Sequence, residues 1–155
     1  KIHFVGWEEN SGKLVEKQII KLAEKSNMKD RIFFHGKKSV GAELFSFYRI
    51  AQVYVLPTQS HSEGFPRTIW EAMANCIPVV TTNVGSIPYF IKNEKHALLV
   101  EPCRTDELHL AVKRIIEDDI LRKKLIRNAF DLVKEVTLET QSRRLIGIIK
   151  SSTLE

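Results

Sequence analysis

Glu63-Gly64-Phe65-Pro66-Arg67-Thr68-Ile69-Trp70-Glu71-Ala72-Met73-Ala74 holds two carboxylates eight positions apart. An apolar run, Val53-Tyr54-Val55-Leu56-Pro57, precedes it, and a second, Ile77-Pro78-Val79-Val80-Thr81-Thr82, follows it. The pattern predicts strand, loop, short helix, strand. In an open parallel sheet, ligands bind outside the carboxyl ends of the strands, where loops lead into helix N-termini. Glu63 falls in such a loop, and Glu71 falls about one turn into the helix after it. A helix start near Arg67-Thr68 points unpaired backbone N–H groups and a partial positive charge at the same crevice.

Outward from this stretch, strands and helices alternate. Ile2–Val5 predicts a short strand ended by Gly6. Val15, Ile19, Leu22 and Ala23 recur at helical spacing between about Gly12 and Ser26. Arg31–His35 predicts a second strand, closed by Gly36, and Ala42–Ile50 a helix with Leu44, Phe45 and Tyr48 on one face. Ile87–Ile91 predicts a helical turn and Ala97–Val100 a fifth strand. Thr105 is expected to cap a helix with Asp106 and Glu107 in its first turn. Leu108, Ala111, Val112, Ile115 and Ile116 form that helix's stripe. Leu121, Leu125, Ala129, Leu132 and Val136 form the next, and Thr137 is expected to cap a last helix reaching about Ile149. Alternation of this kind implies an α/β fold with a parallel sheet.

The 155 residues make one domain's worth of chain, with 43% hydrophobic and 28% charged residues, ordinary for a globular protein. Residues 1–153 read as one domain and Leu154-Glu155 as a tag remnant. No apolar run is long enough for a transmembrane helix. The chain opens on a strand without an initiator Met, which reads as a piece of a longer protein. Two cysteines, Cys76 and Cys103, make neither a disulfide framework nor a metal set; a reducing cytoplasm is expected. The five histidines are scattered without metal spacing, so no metal or cofactor is expected. The net charge of +5 gathers in the C-terminal third. It is read chiefly as solvated helix faces, with attraction to an anionic substrate or peripheral contact at the inner face of an anionic membrane as the functional reading. Nucleic acid is not expected, since no aromatic-rich basic strand accompanies the charge.

The run PTQSHSEGFPRTIWEAMANCIPVVTTNVGSIPYFI, residues 57–91, resembles the E-x7-E signature region of retaining glycosyltransferases with the two-domain GT-B fold. The similarity runs from about Lys1 to about Val136. It implies a Rossmann-like, doubly wound, mostly parallel sheet, the C-terminal half of a GT-B fold. It implies a nucleotide-sugar donor, and metal-independent transfer of a hexosyl group to a glycan or lipid-linked acceptor. Glu63 would contact the transferred sugar and stabilise charge at its anomeric carbon. Glu71 would accept hydrogen bonds from ribose hydroxyls, as a carboxylate does well. Backbone groups at Gly64, Phe65 and Pro66 would meet sugar hydroxyls, and Arg67 and Thr68 would stand near phosphate. Gly36 and Lys37 would lie in the loop passing the nucleobase. Trp70 and Met73 are expected in the core. A triad within Ser60-His61-Ser62-Glu63 is rejected, because adjacent side chains in an extended loop diverge.

The chain also departs from the family pattern. Cys76 stands where the family has a helix-ending glycine, and Asn75 is expected to supply the left-handed conformation in part. Tyr89 stands where the family often has an acid. The chain begins at what resembles the family's second strand. By that resemblance the first strand and helix, with their phosphate-binding Arg and Lys, and the acceptor domain with its catalytic His, lie outside it. Such a fragment is expected to be inactive and to bind donor weakly. The Ile2–Val5 and Val53–Leu56 strands are then expected to pair directly or to form a dimer across the gap. A GT-B-fold sugar-nucleotide epimerase and a non-catalytic interaction domain are the alternative readings. The assignment of Glu63 predicts that, in the full-length enzyme, Glu63→Gln nearly abolishes transfer with thermal melting unchanged. Transfer within about twofold of wild type would remove Glu63 from the reaction.

Overall fold

A computed structural model describes residues 1–6, 12–60 and 64–152. The chain divides into two compact units, Lys1–Phe47 and Tyr48–Glu155.

In the first unit, β1 (Ile2–Phe4) runs parallel to β2 (Ile32–Phe34), with Ile2 opposite Ile32 and Phe4 opposite Phe34. Between them come α1 (Leu14–Lys25) and a 3-10 turn at Lys29–Arg31. Asn27 ends α1 in the left-handed conformation, φ 53°, as an asparagine tolerates. Of the expected α1 stripe, Ala23 is buried, whereas Val15 and Leu22 are exposed. Helix α2 (Ala42–Ile50) has the predicted bounds and leads into the second unit.

There, β3 (Tyr54–Leu56), β4 (Val79–Thr82) and β5 (Leu98–Val100) form a parallel sheet in the order β3-β4-β5. Helix α3 (Arg67–Ala74) joins β3 to β4, and α4 (Ile87–Phe90) lies between β4 and β5. Three longer helices follow: α5 (Thr105–Glu117), α6 (Asp119–Glu135) and α7 (Leu138–Ser152). All ladders are parallel, as expected for a doubly wound fold. Within the first unit β1 pairs with β2, and within the second β4 pairs with β3 on one side and β5 on the other.

The core belongs to the second unit. Val80, Leu98, Val100, Ala111, Ile115, Leu121 and Leu125 form one buried cluster between the sheet, α5 and α6. Burying a branched side chain of this size contributes about 1.5–3 kcal/mol relative to leaving it exposed. Truncating a fully buried member such as Leu125 to Ala costs about 2–5 kcal/mol. Helix α3 turns Ile69, Ala72 and Met73 inward, all with no exposed surface, at the i, i+3, i+4 spacing of one helix face.

The helix boundaries follow local side-chain chemistry at some ends and tertiary packing at others. Asp118 caps α6 by accepting from Leu121 N at 2.8 Å, and Thr137 Oγ1 accepts from Thr140 N at 3.3 Å at the start of α7. The expected hydroxyl cap at Thr105 is not made, because Thr105 is already helical. Arg104 is the boundary residue; its carbonyl accepts the first helical bond from Leu108 N. Ile116 is exposed rather than part of the stripe: α6 begins after Asp118 alone, and Arg122 from α6 donates to the Ile115 and Ile116 carbonyls. At the edge of the sheet, Asn93 Oδ1 accepts from Leu99 N at 2.9 Å.

The end of α3 corrects a further expectation. Cys76 itself takes the left-handed conformation, φ 57°, while Asn75 stays at φ −89°. Ile77 N donates to Ala72 O and Cys76 N to Met73 O, both at 3.0 Å. That pair of bonds is a Schellman ending, whose left-handed residue is the one after the cap. A left-handed non-glycine residue is strained by about 1–2 kcal/mol, partly offset in a Gly variant by backbone entropy of about 0.5–1 kcal/mol. Cys76→Gly is therefore expected to raise Tm by about 2–4 °C, and Cys76→Val to lower it. Melting curves that reverse this order would show that the strain is absent.

Candidate functional site

The site grows from strand β4, whose four residues are buried. Thr81 Oγ1 donates to Leu56 O at 2.9 Å, and Thr82 Oγ1 donates to Thr58 O at 2.5 Å. A buried hydroxyl left without a partner costs about 1–3 kcal/mol, so both threonines bind backbone leaving the carboxyl end of β3. They fix the start of the loop between β3 and α3. Residues 61–63 lie outside the described residues, and Glu63 with them.

The chain resumes at Gly64, which is exposed; a Cβ there would meet nothing within 4 Å. Among the described residues no packing requires glycine here. Phe65 stacks on Trp70 of α3 at 4.4 Å between ring centroids and meets Phe90 of α4 edge-on at 5.2 Å. Trp70 is half-buried in this aromatic group rather than in the core, whereas Met73 is fully buried as expected. Pro66 bounds α3, with φ −66° and ψ 114°, and among the described residues no side chain caps the helix. Arg67 and Thr68 are exposed in the first turn. The first turn of α3 thus begins three residues after Gly64, with Arg67 and Thr68 exposed in it.

Glu71 lies one turn further on and is half-buried. Its carbonyl accepts from Asn75 N at 3.1 Å and from Asn75 Nδ2 at 2.8 Å. Its Oε2 accepts from Tyr48 Oη at 2.9 Å; Oε1 has no partner among the described residues. Tyr48 comes from α2 and is 7% exposed. Burial, and then the bond to Glu71, pushes its phenol far above the usual tyrosine range, so it remains a donor. The sequence reading placed Tyr48 on an apolar face and missed this contact. The available signal was the phenol itself, since a buried tyrosine hydroxyl usually finds a partner.

Gly36 and Lys37 follow β2 in the first unit. Gly36 has φ 65°, the left-handed region that favours glycine, and its carbonyl accepts from Gly6 N at 3.0 Å. In the same unit the β1–β2 register brings two histidines together, which their sequence spacing did not show. His3 Nδ1 lies 2.9 Å from His35 Nε2, and His35 packs on Phe47. Burial, with His3 and Lys38 nearby, lowers the His35 imidazole below its usual value. Among the described residues no group of three or more His, Cys, Asp or Glu is placed to hold a metal.

Beyond β4, Gly85 has φ 55° and the Ser86 hydroxyl is buried without a partner among the described residues. A small cavity of about 70 Å³ at the carboxyl ends of the strands is lined by Pro57, Gln59, Thr82, Glu101, Arg104 and Thr105, among others. A larger one, about 240 Å³, lies between β5 and α5 beside the Arg114–Glu94 ion pair, away from the α3 N-terminus. Much of the basic C-terminal third is paired on the surface: Arg104 with Asp106 and Glu107, Arg122 and Lys123 with Asp119, Lys134 with Asp131. Such exposed pairs contribute little stability, but they occupy the cations. Among the described residues no helix is long and apolar enough to cross a membrane.

Comparison with known proteins places the sequence and the fold. An uncharacterized glycosyltransferase of Methanocaldococcus jannaschii is 33% identical over 83% of this chain, which spans 35% of that protein. The chain thus spans about a third of the length of this relative. The C-terminal domain of a glycosyl transferase group 1 family protein, LpcC, from Francisella tularensis shares the fold. Its TM-score is 0.72 at 29% identity, over 82% of this chain and 65% of that one. Anabaena HepE in complex with UDP, 20% identical, matches in fold with a TM-score of 0.81 over 96% of this chain and 40% of that one. The family described as Glycosyl transferases group 1 matches residues 1–132, and this chain belongs to that family.

Proposed function

We propose that this chain is the donor-binding C-terminal half of a retaining, metal-independent glycosyltransferase that moves a hexosyl group from a nucleotide-sugar to a glycan or lipid-linked acceptor. The observation that carries the reading is the start of α3. Among the described residues no side chain caps its N-terminus, Gly64 lies close before it in the chain, and Oε1 of Glu71, one turn further on, has no partner. Backbone amides at a helix N-terminus suit a diphosphate, and Arg67 adds a charge-assisted donor. Thr68 adds a hydroxyl in the same turn. Glu71 accepts from the ribose. Backbone groups at Gly64, Phe65 and Pro66 meet the transferred sugar, and Gly36 and Lys37 flank the nucleobase. HepE, which was solved with UDP, supports a nucleotide ligand at the level of fold.

In this mechanism the diphosphate leaves from the face that the acceptor enters. Negative charge grows on the leaving phosphate, and positive charge on the anomeric carbon. Preorganised amides stabilise the first without reorganising during the reaction. Glu63 stabilises the second. The site works in the cytoplasm, with peripheral contact at the inner face of the membrane bringing a lipid-linked acceptor within reach.

Glu71→Ala in the full-length enzyme is the direct test. A hydrogen bond to a charged group contributes about 1.5–3 kcal/mol, so donor affinity measured by calorimetry should fall about ten- to a hundredfold. A fall in turnover number with affinity unchanged would remove the ribose role.

A further inference from the structure

We propose that Tyr48 is a positioning residue of the donor site: its hydroxyl holds one oxygen of Glu71 so that the other faces the ribose. The inference rests on the donor-binding reading and adds to it a residue from a different element, 23 positions away in sequence.

Glu71 is held at two levels. Asn75 fixes its carbonyl through both a backbone and a side-chain donor, which sets the Cα position. A glutamate on a fixed backbone still has three side-chain torsions, and the last is broad. The 2.9 Å bond from Tyr48 Oη to Oε2 removes that freedom. The oxygens of a carboxylate lie in one plane, so fixing Oε2 also aims Oε1. Oε1 is left with no partner among the described residues.

Tyr48 suits this task better than a cation. A lysine or arginine would neutralise the carboxylate and compete with ribose for both oxygens. A phenol donates one hydrogen and leaves the negative charge in place. Its ring is anchored by burial and lies 6.0 Å from the Tyr54 ring at the start of β3. Because α2 leads into β3, the donor is tied to the same sheet whose carboxyl ends make the site. The role is orientation: Tyr48 does not touch the reacting atoms.

The test uses the full-length enzyme and Tyr48→Phe, which removes only the hydroxyl. The probes are UDP and GDP with their 2′-deoxy counterparts, titrated by calorimetry. Loss of one orienting hydrogen bond should weaken the bound ribonucleotide about three- to tenfold. The 2′-deoxy nucleotide should lose less. In a Glu71→Ala background, Tyr48→Phe should have no further effect on affinity, the signature of two residues acting as one unit. Equal losses for ribo- and deoxyribonucleotides, or full additivity with Glu71→Ala, would show a merely structural tyrosine and overturn the proposal, leaving the donor reading intact. Unchanged affinity in Glu71→Ala alone, or no binding of either nucleotide, would overturn both. Melting of each variant is followed in parallel; a Tyr48→Phe enzyme that melts as wild type yet binds ribonucleotide normally also overturns the proposal.

Discussion

Two hydroxyls that have no access to water govern where this protein's loops begin. Strand β4 is central in its sheet and buried along its length, yet two of its four residues are threonines. Buried hydroxyls must bond to something, and carbonyls lie within reach where β3 gives way to loop. Thr81 and Thr82 take those carbonyls. A requirement of the core thereby becomes a requirement on the site: the Pro57–Ser60 segment cannot drift without breaking bonds made inside the sheet. Valines in place of these threonines would pack as well and would leave the loop unanchored.

The same economy governs α3. Its buried face, Ile69, Ala72 and Met73, binds it to the core, and its left-handed ending at Cys76 lets the chain reach β4 within a few residues. Both ends of the helix are therefore determined by packing. Arg67 and Thr68 lie exposed in its first turn, and Glu71, one turn on, is bonded to Tyr48. Phe65 and Trp70, with Phe90, tie the entering loop to the helix through their rings.

Periodicity and punctuation made the elements legible. Ala42–Ile50 is a helix because its apolar positions recur at helical spacing, and the start of α3 follows from Pro66, whose ring presets the backbone before a helix. The candidate loop was likewise evident from the two apolar runs that flank it. What the sequence concealed depends on contacts between distant residues, or on choices between neighbours. Tyr48 and Glu71 meet only once α2 and α3 are packed. His3 and His35 meet only through strand register. Asn75 and Cys76 both stand where the left-handed residue could fall, and the hydrogen bonds to Met73 and Ala72 assign it to Cys76, against the usual preference for asparagine. Thr105 has the chemistry of a cap, but Arg104 is drawn into that position while its guanidinium pairs with Asp106. Glu63, the residue on which the sequence reading leaned most, lies outside the described residues.

Strand β5 ends its sheet, and an open strand edge is a template on which another chain can extend the ladder. Here the template is defaced from within. Asn93 spends its side-chain oxygen on the outward N–H of Leu99, and Glu94 N donates to Ala97 O at the start of the strand. The segment before β5 thus folds back along the strand's own rim. An incoming strand would have to displace Asn93 before it gained its first bond at Leu99. That toll falls on misassembled or amyloid-like partners and not on the native chain. One amide thereby guards a three-residue strand against polymerisation.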